Sequence, residues 1–508
     1  MKKILTLILI LFVLTPTFSL FGCASEQTNS TVLRVCNCED YIDESLLEKF
    51  TNETGIEVVY STYGTNENLY NELVINPNSY DLVVPSEYMI EKLAVEGRIN
   101  KLDFTRSELA DYKQNLSPFI DEKLSSLTIK SGEHEGASLS EFMVGYMWGT
   151  MGWVYNTEHV DVSNVTSWDG VFYNESINKK ITIKDSVRDS YLIGLAMVYG
   201  DELREATENA TITEILNRTD KSSIDKVGAK LSSLKSKLYG FEVDSGKNDI
   251  ILGRIDAYVA WSGDAAYAID VAAGEVEDED GNFIADDKLR DLSYYIPDEG
   301  SNIWFDGFVM PSGSKNFDAV YKFLEFISRP SSVYANMNYT GYTGMLANGE
   351  FEMEDEDGST YTTTLFEEIA LGWFDESEDL AEEDQIAVDL SYFFGGTSDE
   401  NTVIVSSEGY GRLIAQYPEL KHVNRCAIMS YFDSETLMDI NEMWEGVKGE
   451  TWSWLTIILI AIFVVLLAVF IVLYRHKDKI KWFKLPERKK TYAQRKGLKE
   501  ISRTEIKI

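Results

Sequence analysis

The sequence contains little cysteine and little histidine. Only four cysteines and four histidines occur among its 508 residues. No Cys/His cluster and no HExxH spacing is present, so we predict neither a metal site nor a cofactor. The cysteines (Cys23, Cys36, Cys38 and Cys426) imply no disulfide framework. One bridge between Cys426 and either Cys36 or Cys38 stays open.

Common enzyme motifs are also absent. The sequence has no GxxxxGK[ST] phosphate loop, and its AWSGD stretch lacks the first glycine of a nucleophile elbow. Nothing pairs a nucleophile with a base, so we predict that the chain is not an enzyme. Basic charge is scarce as well, with 46 Lys or Arg against 84 Asp or Glu and a formal net charge of −38. Such acidity repels nucleic acid and tolerates small cations.

Charge is missing altogether from a segment near the amino terminus. Residues 4–22 are uncharged, follow Lys2 and Lys3, and end just before Cys23. This pattern predicts that residues 1–22 form an export signal. The ending LFGC resembles a bacterial lipobox, so we expect Cys23 to be lipidated. The alternative is an ordinary signal peptide followed by a chance cysteine.

A second uncharged segment lies near the carboxyl terminus. Residues 452–474 carry no charge over 23 positions, which is long enough to cross a bilayer as a helix. Residues 475–508 then hold 13 Lys or Arg against four Asp or Glu, a net charge of +9. By the positive-inside rule this tail is predicted to be cytoplasmic, with the preceding region extracytoplasmic and anchored in the cell membrane.

Between these segments, strand and helix patterns alternate. VLRVCNC predicts a strand, DESLLEKFTNETG a helix with Asp43 as its N-cap and Gly55 at its end, and IEVVYSTY the next strand. The alternation indicates a largely parallel α/β sheet. More than 400 residues exceed one such domain, so we predict two lobes.

Two acidic loops, GEVEDEDGNFIADD and FEMEDEDGSTYTT, each contain the hairpin signal Asp-Gly. Both partly resemble a calcium loop, with Gly281 or Gly358 in the sixth place. The first ligand position would then be Val276 or Met353, neither of which coordinates calcium. We therefore predict two solvated hairpins, and helical structure in an acidic insertion at about residues 348–408.

Aromatic and acidic residues recur where predicted strands end. In SNIWFDGFVMP, Trp304 and Asp306 are two apart in a predicted strand and share one face, where a ring beside a carboxylate suits a cation. Similar positions are occupied by Tyr41, Ser86, Tyr88, Ser186, Asp189, Trp261 and Tyr342. Rings with an acid at each end suit a linear diamine or triamine. Ordinary roles as helix caps, core rings or first-turn acids stay open for each residue.

Six stretches together resemble the spermidine/putrescine (polyamine) substrate-binding proteins of bacterial ABC importers. They are FTNETGIEVVYSTYGTNENLYNEL, YDLVVPSEYMIEKL, YMWGTMGWVYN, KDSVRDSYLIGLA, PDEGSNIWFDGFVMP and TGYTG. The resemblance covers about residues 31–347 and returns at INEMWEGVK. It implies a two-lobed α/β periplasmic-binding-protein fold of type II topology. It also implies a polyamine in the interlobe cleft, and partner permease and ATPase subunits.

The resemblance also implies lobe boundaries and ligand contacts. We assign lobe 1 to residues 32–146 and 305–347, and lobe 2 to residues 147–304 and 348–448, including the acidic insertion. The implied ligand-contacting positions are Tyr41, Ser86, Tyr88, Asp189, Trp261, Trp304, Asp306 and Tyr342. The family pattern would give one amine end to Asp306 and an inner or opposite amine to Asp189.

Four departures from the family pattern concern the ligand site. Cys38 stands where a tryptophan is usual, Glu39 where a small or neutral residue is commoner, and Ser186 where some members have a second aspartate. A family glutamine expected near Met429–Tyr431 is absent. We keep Cys38 and Ser186 as predicted ligand positions and leave spermidine versus putrescine open. The alternative function is a membrane-anchored binder or receptor for another organic cation such as a betaine.

Overall fold

The computed structural model describes most of the chain between the two predicted membrane segments. The described residues are 32–274, 290–355, 358–378, 380–449, 462–463 and 465–471. The predicted export signal, Cys23, most of the first acidic loop, the basic tail and most of the predicted span lie outside them. Within the ranges just given, no helix combines the length and apolar composition needed to cross a bilayer. The chain divides into two compact units, Met1–Val447 and Lys448–Ile508, and the description below concerns the first.

Strands alternate with helices along this unit. The strands are β1 Val32–Cys38, β2 Glu57–Tyr63, β3 Leu82–Val83, β4 Ile99–Asn100, β5 Met143–Asn156, β6 Ile181–Lys184, β7 Gly240–Glu242, β8 Ala257–Trp261, β9 Leu292–Tyr295, β10 Ile303–Pro311, β11 Thr343–Gly344, β12 Glu350–Glu354, β13 Thr360–Thr364, β14 Ile386–Asp389 and β15 Thr402–Val405.

The helices fill the connections between these strands. The α-helices are α1 Ser45–Thr54, α2 Asn66–Ile75, α3 Glu87–Val95, α4 Ala110–Asn115, α5 Pro118–Ser126, α6 Val162–Val165, α7 Val187–Val198, α8 Gly200–Glu205, α9 Asn209–Leu216, α10 Lys221–Leu234, α11 Ser245–Ile251, α12 Ser262–Ala273, α13 Phe317–Ile327, α14 Pro330–Thr340, α15 Ser391–Phe394, α16 Ser407–Gln416, α17 Leu420–Val423 and α18 Ser434–Lys448. Short 3-10 or π turns occur at Ser107–Leu109, Leu139–Glu141, Gly170–Tyr173, Glu175–Ile177, Lys235–Lys237, Phe366–Leu371, Glu382–Asp384 and Ser398–Glu400.

The first βαβ segment follows its sequence pattern closely. Strand β1, helix α1 and strand β2 lie where the patterns predict them, and β1 pairs with β2 in parallel. Gly55 ends α1 in the left-handed region at φ 71°, which a residue without a Cβ adopts freely. Asp43 lies one residue before the N-cap position, and its Oδ1 accepts a hydrogen bond from the Ser45 amide at 2.9 Å.

One mixed sheet of 11 strands connects the two lobes. Its main path is β2-β1-β3-β10-β5-β8-β6-β7, with β4 on β10 and with β9 and β11 on β5. The flanking pairs are parallel, as predicted, but the central strands β5 and β10 are antiparallel. All 14 residues of β5 are buried. Its sequence therefore has no polar face from which the pairing direction could be read.

The buried apolar side chains of this unit form two clusters. The larger includes Phe50, Trp148 and Phe323, and the smaller includes Trp153 and Trp168. Strand β5 thus contributes to both. It pairs with β10 along its first half and with β8 and β9 along its second. The strands β10, β5 and β8 therefore lie side by side at the centre of the sheet.

The acidic insertion combines short strands with short helical segments. Its β12–β13 hairpin confirms the turn predicted at FEMEDEDGSTYTT, and β14–β15 forms a second hairpin. The predicted helical structure occurs at Phe366–Leu371, Glu382–Asp384, Ser391–Phe394 and Ser398–Glu400, while the β-branched runs TYTTT and TVIV form strands. Buried Phe351 and Phe393 join the larger core, and Phe393 stacks on Trp148 with ring centroids 5.5 Å apart. The assignment of residues 348–448 to lobe 2 stays a prediction.

The three described cysteines carry free thiols. Cys36 and Cys426 are buried, and Cys38 is partly exposed. The bridge that the sequence left open does not form between any of them. Cys38 is therefore available as a side chain of the predicted cleft.

Candidate functional site

Strand β10 brings Trp304 and Asp306 to one face, next to two tyrosines from distant parts of the chain. Tyr41 donates its hydroxyl to Asp306 Oδ2 at 2.8 Å. The Tyr41 and Tyr342 rings meet edge to face with centroids 4.8 Å apart, and the Trp304 and Tyr342 centroids are 5.7 Å apart. We call these four residues, Tyr41, Trp304, Asp306 and Tyr342, the Asp306 cage.

Two glycines allow the rings of this cage to lie close to the backbone. Gly149 on β5 is paired with Trp304, and a Cβ on Gly149 would come within 2.5 Å of the Trp304 ring. A Cβ on Gly263 would come within 2.2 Å of the Tyr342 ring. Any larger residue at either position would displace an aromatic wall of the cage.

Ser86 reaches the cage from the turn before α3. It forms an isolated antiparallel bridge with Asp306. The side chain of Asn66 holds it on both sides, since Asn66 Nδ2 donates to Ser86 Oγ at 3.0 Å and the Ser86 amide donates to Asn66 Oδ1 at 3.1 Å. Asn66 was not among the predicted site residues. The only sequence feature that could have indicated Asn66 is its position in the family-like stretch around GTNENLY.

The Asp306 carboxylate lacks a counter-ion within the described chain. Burial raises its pKa to about 6, and hydrogen bonding with Ser86 and Tyr41 offsets part of that rise. Its Oδ1 atom is buried and has no hydrogen-bond partner. Among the described residues, no Lys or Arg forms an ion pair with it. At pH 7 the group is mostly ionised, and a bound cation would satisfy it.

A second carboxyl group, Glu87, lies beside the cage and was missed by sequence reasoning. It is 2% exposed and accepts a hydrogen bond from the Phe305 amide at 2.8 Å. Burial raises its pKa to about 8, and the charge of Asp306 adds to the rise. Glu87 is therefore mostly protonated at pH 7, which leaves Asp306 as the charged acid. The sequence feature that could have indicated Glu87 is its position as a charged residue directly after Ser86, at a strand-to-helix turn.

Asp189 and Ser186 lie together at the start of α7. Ser186 caps the helix, and its hydroxyl accepts from the Asp189 amide at 3.4 Å. Burial raises the pKa of Asp189, while Ser186 and the positive charges of Lys184 and Arg188 lower it. Burial raises the pKa of Tyr88, and the negative charges of Glu67 and Asp189 add to the rise.

Tyr88 is faced by a cation of the chain itself. The Arg188 guanidinium lies 3.9 Å from the centroid of the Tyr88 ring and donates to the Ser430 carbonyl. The Tyr88 hydroxyl donates to Glu67 Oε1 at 3.2 Å. Arg188 belongs to the family-like stretch KDSVRDSYLIGLA, but its contact with Tyr88 was not predicted.

Trp261 is likewise faced by a lysine. Lys184 is fully buried, and its Nζ lies 4.0 Å from the centroid of the Trp261 ring. Asp264 lies 3.7 Å from Lys184 Nζ. Burial raises the pKa of Tyr342, and the negative charge of Asp264 is the next largest cause of that rise, which couples the Lys184–Trp261 pair to the Asp306 cage electrostatically. Neither Lys184 nor Asp264 was predicted, because their partners are far away in sequence.

Cys38 lies at the end of β1, close to the cage. Burial raises the pKa of its thiol to about 12, and the charge of Asp306 is the next largest cause. All ten predicted site residues thus belong to one connected group of contacts and charge interactions. Their role as ligand contacts remains a prediction. The group consists of Cys38, Tyr41, Ser86, Tyr88, Ser186, Asp189, Trp261, Trp304, Asp306 and Tyr342.

An amide reaches the Tyr342 loop from a part of the chain that was not predicted. Gln416 at the end of α16 is buried and donates from Nε2 to the Gly341 carbonyl at 2.7 Å. Its Oε1 is buried without a partner. As to metals, the described part of the chain contains no group of three or more His, Cys, Asp or Glu side chains able to hold an ion.

Two buried apolar clusters and one mixed sheet, with acidic and aromatic side chains gathered at the strand ends, are typical of a two-lobed ligand-binding protein. Residues 45–349 match the family described as bacterial extracellular solute-binding protein. The match covers more than half of the chain, and the chain belongs to this family. It is a family of solute-binding proteins and not of enzymes.

Relatives and solved structures agree with this assignment. The chain is 28% identical over 320 residues to the spermidine/putrescine-binding periplasmic protein of Salmonella typhimurium, covering 63% of this chain and 79% of that protein. It is 32% identical over 329 residues to the putrescine-binding periplasmic protein SpuD of Pseudomonas aeruginosa, with the same coverage. The solved spermidine/putrescine substrate-binding protein PotD of Streptococcus pneumoniae has the same fold, with a TM-score of 0.52, 24% identity, and coverage of 82% and 99%.

Proposed function

We propose that this chain captures a linear polyamine of the spermidine/putrescine class outside the cytoplasm and delivers it to the permease and ATPase subunits of an ABC importer. The observation that carries the proposal is Asp306. Its carboxylate lies among three aromatic rings, has one unpartnered oxygen, and forms no ion pair within the described chain. The polyamine names of the relatives support the same ligand class.

The cage would bind an ammonium through two kinds of contact. An ammonium N–H would donate to Asp306 Oδ1, a charge-assisted bond that contributes about 1.5–3 kcal/mol. The faces of Trp304 and Tyr342 would attract the same charge by about 0.5–2 kcal/mol. Methylenes would lie on the rings, and a further ammonium would reach Asp189. This arrangement suits an unbranched chain with amines at both ends.

The alternative ligand, a betaine, fits these residues less well. A quaternary ammonium has no N–H group to donate to the unpartnered Asp306 oxygen, and it needs no second acid. A receptor role for another organic cation is the second alternative. Neither alternative is supported by the names of the relatives.

We further infer from the sequence that the binding domain is held at the membrane. A lipid on Cys23 would anchor one end of the domain, and a helix at residues 452–474 would anchor the other, with the basic tail in the cytoplasm. Cys23 and 14 of the 23 residues of the predicted helix lie outside the described residues. Two anchors would keep the binder close to its importer.

Calorimetry on the purified full-length chain tests the proposed ligand. Putrescine or spermidine should bind with micromolar or tighter affinity, and added salt should weaken binding because charge pairs contribute. Betaine serves as the comparison ligand. If betaine gives heat and thermal stabilisation while neither polyamine does, the proposed ligand class is wrong.

A further inference from the structure

Two rings that were predicted to contact the ligand already carry cations of the chain itself. Lys184 Nζ lies 4.0 Å from the Trp261 ring, and the Arg188 guanidinium lies 3.9 Å from the Tyr88 ring. These distances are those of established cation–π contacts. In the described residues, no Lys or Arg lies over Tyr41, Trp304 or Tyr342. The cations of the chain therefore occupy one part of the site and leave the Asp306 cage open.

Lys184 is held in place and is not a mobile surface side chain. It is fully buried at the end of β6, and its Nζ donates to the Val243 carbonyl at 2.8 Å. Glu242 and Asp264 lie 3.6 and 3.7 Å from the same nitrogen. A buried ammonium is retained only where such partners compensate for the loss of water.

The acids of the site fall into two groups according to their partners. Glu242 and Asp264 form ion pairs with Lys184, and Asp264 also pairs with Lys247 at 3.5 Å. Asp306 and Asp189 form no ion pair with any described residue of the chain. Asp306 and Asp189 are therefore not ion-paired within the described chain, whereas the acids around Lys184 already have a cation of the chain beside them.

We propose that Lys184 takes the place of one ammonium of a longer polyamine, so that the site prefers a short diamine to a triamine. This inference rests on the proposed function. The two ends of a diamine would meet Asp306 and Asp189. The third ammonium of a triamine would approach Trp261, where it would meet a like charge and no free acid.

The first experiment titrates the full-length wild-type chain with putrescine and with spermidine at one ionic strength and measures both affinities. Putrescine should bind about tenfold more tightly, the ratio expected when one ammonium contributes no favourable contact. If spermidine binds equally or more tightly, the inference is overturned while the proposed function stands. If neither ligand binds, the proposed function itself fails.

The variant that tests Lys184 is Lys184→Met combined with Glu242→Gln. Methionine keeps the aliphatic stem, and glutamine can still accept the Gly246 amide hydrogen bond that Glu242 Oε2 accepts at 2.8 Å. Changing both residues avoids an unpaired buried acid. The spermidine affinity should rise about tenfold relative to the putrescine affinity. An unchanged ratio in a folded variant overturns the inference.

Lys247→Met is the matched control. Lys247 also contacts Asp264, but it lies over Tyr267 at 5.9 Å and not over Trp261. Its removal should leave the ratio of the two affinities as in the wild type. A shift as large as that of the double variant would mean that overall charge, and not the position of Lys184, sets the preference. If the double variant does not fold, the wild-type ratio decides the question alone.

Discussion

Asp306→Asn separates binding from folding, since a ligand-binding role and a structural role for this residue predict opposite results. Asparagine keeps the shape of the side chain and can still accept from Tyr41, but it carries no charge. Loss of a charge-assisted bond of about 1.5–3 kcal/mol corresponds to a tenfold to more than hundredfold loss of polyamine affinity. Titration calorimetry on the full-length chain measures this change.

The same substitution should not destabilise the ligand-free protein. Burial raises the pKa of Asp306 to about 6, above its ordinary value of 3.8. The folded state therefore binds more protons than the unfolded state between about pH 4 and 6, and wild-type stability falls as the pH rises through that window. The cost at pH 7 is at most about 3 kcal/mol, at 1.36 kcal/mol per pKa unit. Asp306→Asn avoids this cost, so its melting temperature at pH 7 should equal or exceed that of the wild type.

A control and a clear counter-result complete the experiment. Asp399→Asn removes an equal charge from the exposed 3-10 turn Ser398–Glu400 of the insertion. It should change neither the affinity nor the melting temperature appreciably. If Asp306→Asn lowers the melting temperature by several degrees and leaves the affinity of the folded protein unchanged, Asp306 is a structural residue and its role in ligand binding is refuted.

Three further results are expected. Polyamine affinity, followed by calorimetry between pH 5 and 8, should be flat above about pH 6 and fall below it as Asp306 becomes protonated; no change at pH 5 would contradict the role of its charge. Glu87→Gln should match the wild-type melting temperature at pH 5 and exceed it at pH 8.5, because the raised pKa of Glu87, about 8, makes wild-type stability fall between about pH 4.5 and 8. If the variant and the wild type have the same melting temperature at both pH values, burial of Glu87 does not destabilise the wild type at high pH. Cys38→Trp should tighten polyamine binding in calorimetry by supplying a ring at the free thiol; loss of binding would show that the cleft is packed around the smaller residue.

The nature of the site could be predicted from the sequence because the informative features are local. Residues two apart on a strand share a face, so the spacing alone puts Trp304 and Asp306 together. Ser86 and Ser186 follow strands directly, and the ends of strands are where α/β sheets present ligand-binding side chains. The structure joins all of these residues in one group, as expected for a site shared by two lobes.

The sequence was less informative about the secondary structure of the acidic insertion and about the pairing direction of strand β5. The acidic insertion was predicted to be helical, and it contains short helical segments, but its β-branched runs also form two hairpins that were not both predicted. Strand β5 is buried on both faces, so its pattern gave no sign of its antiparallel pairing with β10. In both cases the secondary structure or the pairing direction depends on the partner strand, and the local composition does not specify that partner.

By itself, the sequence determined the fold class, the rings and acids at the strand ends, and the two terminal segments whose composition is typical of membrane targeting. Only the tertiary structure decided which of those acids are open and which rings are already occupied. Lys184 and Asp264 are 80 positions apart, and Glu87 becomes mostly protonated only because it is buried beside Asp306. Charge interactions and desolvation depend on distance in space, and a sequence pattern records only distance along the chain.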